Sequence, residues 1–423
     1  MYKIAAIALF FTTVFYGQSE WSPLTSIPSN VSFTRYDDVF FINNTTGWAA
    51  DGSNAKVWKT TDGGSTWVNQ LNESMLGDNY YFRNIEFLDE NVGFLGTLDG
   101  EFFKTINGGT TWTLVSGIAP NPVAICGLDA VGTSTIYGCG AYFSPAFIIK
   151  SVDSGITWQY INMSAYANAL VEVLFIDENL GFASGKKAGT GGVILKTTDG
   201  GATWTQIYTS NINGEYVWKL QILQSNPNVM FGSVESVSPL LGKLIKSTDA
   251  GVTWVSKSVP DTDIQGVGFI SETHGWMGGH NSPFLETFDA GDTWTDVGIG
   301  SNLNRIFIIN ENLAYASGTT IYKYTDPSLA VVDFAEQARQ PLKATVNPNP
   351  VRDKLTVTID FDESDHLILE LYDNAGHLIT ELFKDEIVSE STKTYTFDFP
   401  YASGVYILNL HTNTGRQSMK FVK

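Results

Sequence analysis

Short apolar stretches alternate with polar turns through most of the chain. Residues 85–94 (IEFLDENVGF) and 173–182 (VLFIDENLGF) show the pattern: an apolar strand, a turn rich in Asp, Asn and Glu, and a second strand with an aromatic residue. Apolar runs separated by such turns predict antiparallel hairpins. A third apolar segment follows, such as FFK at 102–104, and leads through another turn into a fourth strand. The pattern therefore predicts repeated four-stranded antiparallel units and an all-β fold.

The turn before each fourth strand is a repeated nine-residue box with the pattern [KE]-x-x-[DN]-x-G-x-T-W. Its first copy is KTTDGGSTW at 59–67, and five more copies follow. The acidic or amide position is occupied by Asp62, Asn107, Asp153, Asp199, Asp249 and Asp289. The box ends on Trp67, Trp112, Trp158, Trp204, Trp254 and Trp294. These tryptophans are 40 to 50 residues apart, a period typical of one four-stranded propeller blade.

The number of blades follows from the aromatic residues of the second strands, which are Trp48, Phe94, Tyr137, Phe182, Phe231, Trp276 and Tyr315. The seventh unit ends at IYKYTD (321–326) without a box, so a fourth strand is missing there. Trp21 lies 46 residues before Trp67, in the frame of the other box tryptophans. We therefore predict that the strand around Trp21 completes the last unit and closes a seven-bladed β-propeller. Such closure removes the open ends of the array.

The residue types of the box favour a structural role. In a tight turn an Asp or Asn side chain can accept backbone N–H groups, and the Gly two positions later can take a positive φ. The Trp would bury roughly 200 Å² between blades, worth about 5 kcal/mol as an upper estimate. A catalytic site needs different residues that converge at one place, whereas six near-identical turns are spread around a ring. We therefore predict that the box holds the fold together.

The box resembles the Asp-box repeat of sialidases, xyloglucan-degrading hydrolases and sortilin-like receptors. With this spacing and seven units, residues 18–326 are most similar to the photosystem II assembly factor family, whose propeller-type domain also occurs in secreted bacterial proteins. The chain departs from the box at Asn107, in place of Asp, and at Glu286, in place of the leading Lys. The resemblance implies the fold and leaves the function open, because enzymes and binding proteins share it.

After Pro327 the sequence changes character. Residues 327–344 are polar and without motif, which indicates a linker, and 345–423 contain alternating apolar strands that predict a small β-sandwich. The opening NPNP, the central LYDNAGHLI, the SGVYIL strand and the terminal KFVK resemble, in that order, the C-terminal sorting domain of the type IX secretion system. This resemblance implies handling by that machinery, export across the outer membrane, removal of the domain, and either release or surface attachment.

The first residues, MYKIAAIALFFTTVFYGQSE, carry one Lys and then a short apolar run, which suits a secretory signal with cleavage near Gly17. We therefore assign 1–17 to a signal peptide and expect no transmembrane segment in the remainder. In an exported chain two cysteines can pair. Cys126 and Cys139 flank a predicted strand–turn–strand, and either a disulfide or two buried free thiols fits that position.

Charge and histidine content narrow the possible functions. A formal net charge of −19 disfavours nucleic acid and anionic membrane surfaces as partners. Only His274 and His280 fall in the repeat region, so a three-His metal site and a Ser-His-Asp arrangement both lack their parts. We expect His274 to be solvated in its polar turn. No metal ligand, cofactor or catalytic residue is assigned.

The candidate binding residues lie at the starts of the first strands. Arg35, Arg83 and Arg305 precede or open such strands, and similar or neighbouring positions hold Tyr36, Tyr81, Glu172, Trp218 and Lys219. Because first strands line the axis of a propeller, we predict that these side chains form a binding surface at one mouth of the channel. The alternative is that they are ordinary loop residues satisfied by local carbonyls and water.

The sequence is compatible with two functions. The sequence favours an exported, non-catalytic propeller that binds an extracellular protein or glycan. The alternative is a glycoside hydrolase, sialidase-like or related, which would need two opposed carboxylates in a cleft. Sialidases clamp a carboxylate with three arginines, and this propeller has three, but none is followed by the Ile-Pro of the first sialidase arginine motif.

Overall fold

The computed structural model describes residues 20–31, 34–142, 145–280, 282–326, 343–360, 365–373, 378–388, 392–411 and 416–423. The predicted signal peptide (1–17) and nearly all of the predicted linker lie outside these residues. The described elements are strands and one short helix, α1 (Glu73–Leu76), so the all-β prediction is confirmed. The chain divides into two compact units, 1–331 and 332–423. No helix among the described residues is long and apolar enough to cross a membrane.

The first unit contains antiparallel sheets of four strands each. Strand β1 (Glu20–Pro23) comes first in the chain and is followed by sheet 1, which comprises β2 (Tyr36–Phe41), β3 (Gly47–Asp51), β4 (Lys56–Thr60) and β5 (Val68–Leu71). Sheet 2 comprises β6 (Phe82–Phe87), β7 (Gly93–Thr97), β8 (Phe102–Thr105) and β9 (Thr113–Leu114). Sheet 3 comprises β10 (Gly127–Val131), β11 (Thr135–Gly140), β12 (Phe147–Ser151) and β13 (Gln159–Asn162). Sheet 4 comprises β14 (Ala169–Phe175), β15 (Gly181–Lys187), β16 (Gly191–Thr197) and β17 (Thr205–Thr209). Sheet 5 comprises β18 (Tyr216–Ile222), β19 (Met230–Glu235), β20 (Lys243–Ser247) and β21 (Val255–Ser258). Sheet 6 comprises β22 (Ile264–Phe269), β23 (Gly275–Gly279), β24 (Leu285–Thr287) and β25 (Thr295–Asp296).

Sheet 7 combines the two ends of this unit. It comprises β26 (Arg305–Asn310), β27 (Leu313–Ser317), β28 (Ile321–Thr325) and the N-terminal β1. Strand β1 pairs antiparallel with β28, so that Trp21 lies opposite Tyr324. The pairing is the one that the spacing of Trp21 predicts. The Trp21 ring is buried, with its centroid 5.4 Å from that of Trp276 and 4.8 Å from that of Phe284 in sheet 6.

Neighbouring sheets are joined by stacked aromatic rings. The second-strand residue Trp48 of sheet 1 stacks on Phe87 of sheet 2 with centroids 3.6 Å apart. Tyr315 of sheet 7 stacks in the same way on Phe41 of sheet 1, at 3.8 Å. The first strand of sheet 7 also contacts the first strand of sheet 1. Sheets 7 and 1 therefore meet through the same kind of contact as sheets 1 and 2.

The box turns share one hydrogen-bond pattern. In sheet 1 the Asp62 carboxylate accepts the Thr66 backbone N–H at 2.8 Å and the Thr66 hydroxyl at 2.6 Å. Asn107 reproduces this pattern: its carbonyl accepts the Thr111 N–H and its amide donates to the Thr111 hydroxyl, each at 2.9 Å. The threonine bonds hold the pKa of Asp199 at about 2. These side chains are therefore occupied by their own turns.

The leading lysine of the box reaches the next sheet. Lys59 donates to the Gly108 carbonyl at 3.0 Å, Lys150 to the Gly200 carbonyl at 2.8 Å, and Lys323 of sheet 7 to the Gly63 carbonyl of sheet 1 at 2.9 Å. Each acceptor belongs to the box turn of the following sheet. The lysine therefore links consecutive sheets, a role that the sequence analysis did not assign.

Glu286, which replaces this lysine in sheet 6, has different partners. It accepts a hydrogen bond from the Trp276 indole at 2.9 Å and pairs with His274 at 2.9 Å. The His274 ring also stacks on Phe288, with centroids 4.3 Å apart. The expectation that His274 is solvated is therefore wrong, because the substitution at 286 supplies it with a partner.

The second unit is a small sandwich of two sheets. Its strands are β29 (Lys343–Asn347), β30 (Lys354–Asp360), β31 (Asp365–Asp373), β32 (Leu378–Val388), β33 (Thr392–Asp398), β34 (Val405–His411) and β35 (Arg416–Val422). One sheet has the order β29-β30-β33 and the other β32-β31-β34-β35. Buried side chains of both sheets, including Leu355, Val357, Leu369 and Leu408, form one apolar core.

The two cysteines are free and buried, which is the second of the two alternatives left by the sequence. Their side chains pack into different apolar clusters, Cys126 with Phe94 and Ile125, and Cys139 with Tyr137 and Ile148. Burial raises the pKa of the Cys126 thiol to about 11. Cys126 lies just before β10 and Cys139 within β11, and the structure has no disulfide between them.

Candidate functional site

The first strands of all seven sheets contribute to one cavity of about 420 Å³. Its walls include Phe40 of β2, Glu86 of β6, Asp129 of β10, Val267 of β22 and Phe307 of β26. Strands β14 and β18 complete the lining. The cavity is therefore a shared central feature of the sheets, and the polar side chains around it define the candidate site.

Bulges set which first-strand residues face this centre. Five first strands shift register at the same step, for example between Tyr36 and Asp38 of β2 and between Leu170 and Glu172 of β14. A bulge adds one unpaired residue and re-aims the side chains beside it. The residues at and after the bulge are Asp37 and Asp38, Arg83 and Asn84, Val171 and Glu172, Trp218 and Lys219, and Gln265 and Gly266. Four of the eight candidate residues occupy these positions: Arg83, Glu172, Trp218 and Lys219.

One group of candidate residues gathers around Asp37, which we call the Asp37 cluster. Arg35 pairs with the Asp37 carboxylate through Nε at 3.1 Å, and Arg83 pairs with the same oxygen through Nη1. Arg35 also donates to Asn302 of the segment before β26, at 3.3 Å. Burial, and then the Asp37 charge, raise the pKa of Tyr81. Two cations on one carboxylate leave this cluster with a net positive charge.

A second group gathers around Glu172, which we call the Glu172 cluster. One Glu172 oxygen binds Lys219 Nζ at 2.5 Å and the other binds Arg305 Nη1 at 3.0 Å. Arg305 Nε lies 3.5 Å from the Asp38 carboxylate, which also accepts the Val39 and Ile85 backbone N–H groups at 3.0 Å. Burial lowers the pKa of Lys219 although Glu172 opposes that effect.

The clusters differ from the exposed ring that we predicted at the channel mouth. Arg35 is 4% exposed, Arg83 5% and Lys219 5%. Arg35 and Arg83 pair with Asp37, and Lys219 pairs with Glu172. Tyr36 is also buried and donates its hydroxyl to the Pro28 carbonyl at 2.8 Å. Trp218 packs beneath the Arg83 guanidinium, 5.4 Å from ring centroid to Cζ. The charged residues of the prediction are therefore brought together, but as ion pairs that are largely buried.

Arg305 is the exception among the charged candidates, because its side chain remains 19% exposed and lines the cavity. Beside it lie two acids that the sequence analysis missed, Glu86 and Asp129. Burial raises the pKa of Asp129 to about 8, and burial with repulsion from Asp129 raises that of Glu86. Such a pair can hold a proton at neutral pH, accept a cation or exchange a proton with a ligand.

A signal for the missed acids is present in the sequence. Asp37, Asp38, Glu86 and Asp129 lie beside apolar residues in the first strands YDDVFF, FRNIEF and GLDAV. An acidic side chain inside a strand that is buried on both faces needs a partner or a proton. Among the described residues, no group of three or more His, Cys, Asp or Glu side chains is arranged to hold a metal ion.

Known proteins resemble both the first unit and the C-terminal part of this chain. Residues 345–423 match the family described as "Secretion system C-terminal sorting domain". The first unit has the propeller fold of known structures. The chain is therefore a propeller protein with a type IX secretion sorting domain, and the two resemblances named from the sequence are confirmed.

The relatives of the first unit include the photosystem II assembly lipoprotein Ycf48 of Synechococcus sp. (strain CC9902), 24% identical over 312 residues that cover 69% of this chain and 82% of the relative. A structure described as "YCF48 bound to D1 peptide" matches with a TM-score of 0.55 and 18% identity, covering 74% of this chain and 98% of that one. PorZ, an essential bacterial surface component of the type IX secretion system of Porphyromonas gingivalis, matches with a TM-score of 0.54 and 15% identity, covering 94% of this chain and 60% of PorZ.

Proposed function

We propose that the chain is an exported, non-catalytic seven-bladed propeller, closed by its N-terminal strand, that binds a protein or glycan at the cell surface or outside the cell. The pairing of β1 with β28 and the aromatic stack between sheets 7 and 1 support closure. The sorting domain supports delivery by the type IX machinery, with the mature protein released or attached to the surface.

The central cavity is the observation that carries the binding proposal. It is lined by all seven first strands and reaches exposed residues at Ile176, Gln224 and Pro227. Ion pairs around Asp37 and Glu172 fix the side chains behind it, so the cavity is preformed. Preformed concave sites with a few convergent polar groups are typical binding sites. A similar solved propeller holds a peptide, which favours a protein over a glycan as the ligand.

The test is a glycan array combined with a pull-down from the extracellular fraction, using the full chain. Arg305→Gln is the informative variant, because Arg305 lines the cavity while Glu172 keeps its bond to Lys219. Lys257→Gln is the matched control, because it removes an outer-strand ion pair to Asp292. We expect capture of a defined ligand, weakened by Arg305→Gln and unchanged by Lys257→Gln. Equal capture by all three proteins would place the binding surface elsewhere.

A glycoside hydrolase remains the second candidate, because Glu86 and Asp129 are two carboxyl groups facing one cavity, with Arg305 beside them. Raised carboxyl pKa values are a property of general acids. Incubation of the protein with the arrayed glycans distinguishes the two functions. Sugar release that disappears in Glu86→Gln and Asp129→Asn would establish the hydrolase, whereas bound and unhydrolysed ligand is the result that our proposal predicts.

A further inference from the structure

The cavity is surrounded by more acidic than basic groups. The ionisable side chains that face it or contact its lining from the first strands are Asp38, Glu86, Asp129, Glu172, Lys219 and Arg305. Strand β22 (IQGVGF) contributes no ionisable side chain. Four acids against two bases leave the surroundings deficient in positive charge.

Both bases are already engaged by other acids. Lys219 binds Glu172, and Arg305 binds Glu172 and approaches Asp38. Asp129 accepts the Phe175 backbone N–H at 2.5 Å. Glu86 is 6% exposed, and among the described residues its carboxylate has no hydrogen bond or ion pair. A buried carboxylate without a partner carries a large desolvation cost, so Glu86 is poised to accept a donor that enters the cavity.

The walls between these acids and the surface are largely apolar. Phe40, Leu174, Leu220, Phe307 and Ile308 line the cavity. The lining also includes Ile176, which is 40% exposed and marks its outer end. A ligand group that fits this arrangement has an apolar stem and a positively charged tip. Lysine and arginine side chains have that composition, and they bury their stems along apolar surfaces.

We propose that the central cavity receives a lysine or arginine side chain of the protein partner, with the charged head against Glu86 and Asp129 and the stem along the apolar wall. This inference rests on the proposed function, that the propeller binds a macromolecule. Charge complementarity favours a cation as the occupant. Its positive charge would balance the acids that Lys219 and Arg305 do not neutralise, and it would favour the ionised forms of Glu86 and Asp129. The cavity volume lies within the range of small-ligand pockets.

The experiment compares two fluorescently labelled peptides of the same neutral, apolar sequence, one with a central lysine and one with norleucine, for binding to the full chain. We expect the lysine peptide to bind about tenfold more tightly at pH 7.4. Its advantage should increase between pH 6 and pH 9, because Asp129, whose pKa burial raises to about 8, ionises in that range while the lysine stays charged. Equal affinity of the two peptides, or binding of neither, would overturn the inference.

Variants locate the effect. Glu86→Gln and Asp129→Asn should each reduce the lysine preference to about threefold or less, whereas Glu73→Gln, which changes an exposed carboxylate on α1, should leave it intact. A lysine preference that survives both cavity variants would also overturn the inference. If a variant does not fold, the lysine and norleucine comparison on the unaltered chain still decides the question.

The experiments test the proposed binding function and the basic side chain in the cavity independently of each other. Capture of an extracellular ligand in the pull-down together with equal affinity for the two peptides would keep the binding proposal and remove the basic side chain. Hydrolysis of arrayed glycans would remove the non-catalytic claim itself. A lysine preference with no hydrolysis supports both.

Discussion

At the residue scale, the box turns are predictable because their bonds are local. Asp62 and its partner Thr66 are four residues apart, so the motif itself contains the interaction. The candidate binding residues are different: Arg35 is fixed by Asn302, 267 residues away, and a single sequence does not reveal such a partner. For that reason the sequence predicts which side chains come together but not that they are buried.

Asn107 suggests how tolerant the box is. The Asn107 amide bonds both the N–H and the hydroxyl of Thr111, with the hydroxyl as acceptor where a carboxylate would make it the donor. We therefore expect Asp199→Asn to leave the thermal midpoint close to that of the unaltered chain. Asp199→Ala should lower it, since the Thr203 N–H and hydroxyl lose their acceptor. Differential scanning calorimetry at pH 7 measures both variants. Equal midpoints for Ala and Asn would contradict a structural role of the turn.

Asp129 should make stability depend on pH. Its folded-state pKa is raised from 3.8 to about 8, so folding favours the protonated form and this contribution is lost as the pH rises through about 8. We expect the free energy of unfolding of Asp129→Asn to rise, relative to the unaltered chain, between pH 5 and pH 9. Urea unfolding at several pH values measures it. A difference that does not change with pH would mean that Asp129 is ionised throughout.

At the element scale, strand β1 is the test of closure. Trp21 is 5% exposed and lies between the rings of sheets 6 and 7, so Trp21→Ala should lower the free energy of unfolding by about 3–5 kcal/mol. Val31→Ala is a suitable control, because Val31 is 77% exposed in the segment after β1. A loss below about 1 kcal/mol for Trp21→Ala would show that β1 contributes little to closing the ring.

The lysine contacts between sheets were not predicted, although the residue is part of the box. Its acceptor is a carbonyl about 50 residues further on, as with Lys150 and Gly200, and only the stacked arrangement of sheets brings the two together. The four-stranded units themselves were predictable, because alternation of apolar segments and turns is a property of neighbouring residues. The fourth strand of sheet 7 was predictable only through the frame of Trp21.

At the scale of the whole molecule, the sorting domain predicts processing. We expect mass spectrometry of the mature secreted protein to find no peptides from about residue 345 onward, because this part matches the secretion sorting domain. The cell-associated precursor serves as the control and should contain them. Recovery of the terminal Lys423 on mature extracellular protein would contradict export by the type IX route with removal of the domain.

The central claim is that a preformed cavity on the propeller axis binds a macromolecule. Hydrogen–deuterium exchange of the full chain with and without the captured ligand tests it most directly. The account predicts slower exchange at Ile176 and in the segment around Gln224 and Pro227, which line the cavity, and no change at the outer strand β21. Protection confined to the outer strands would contradict it.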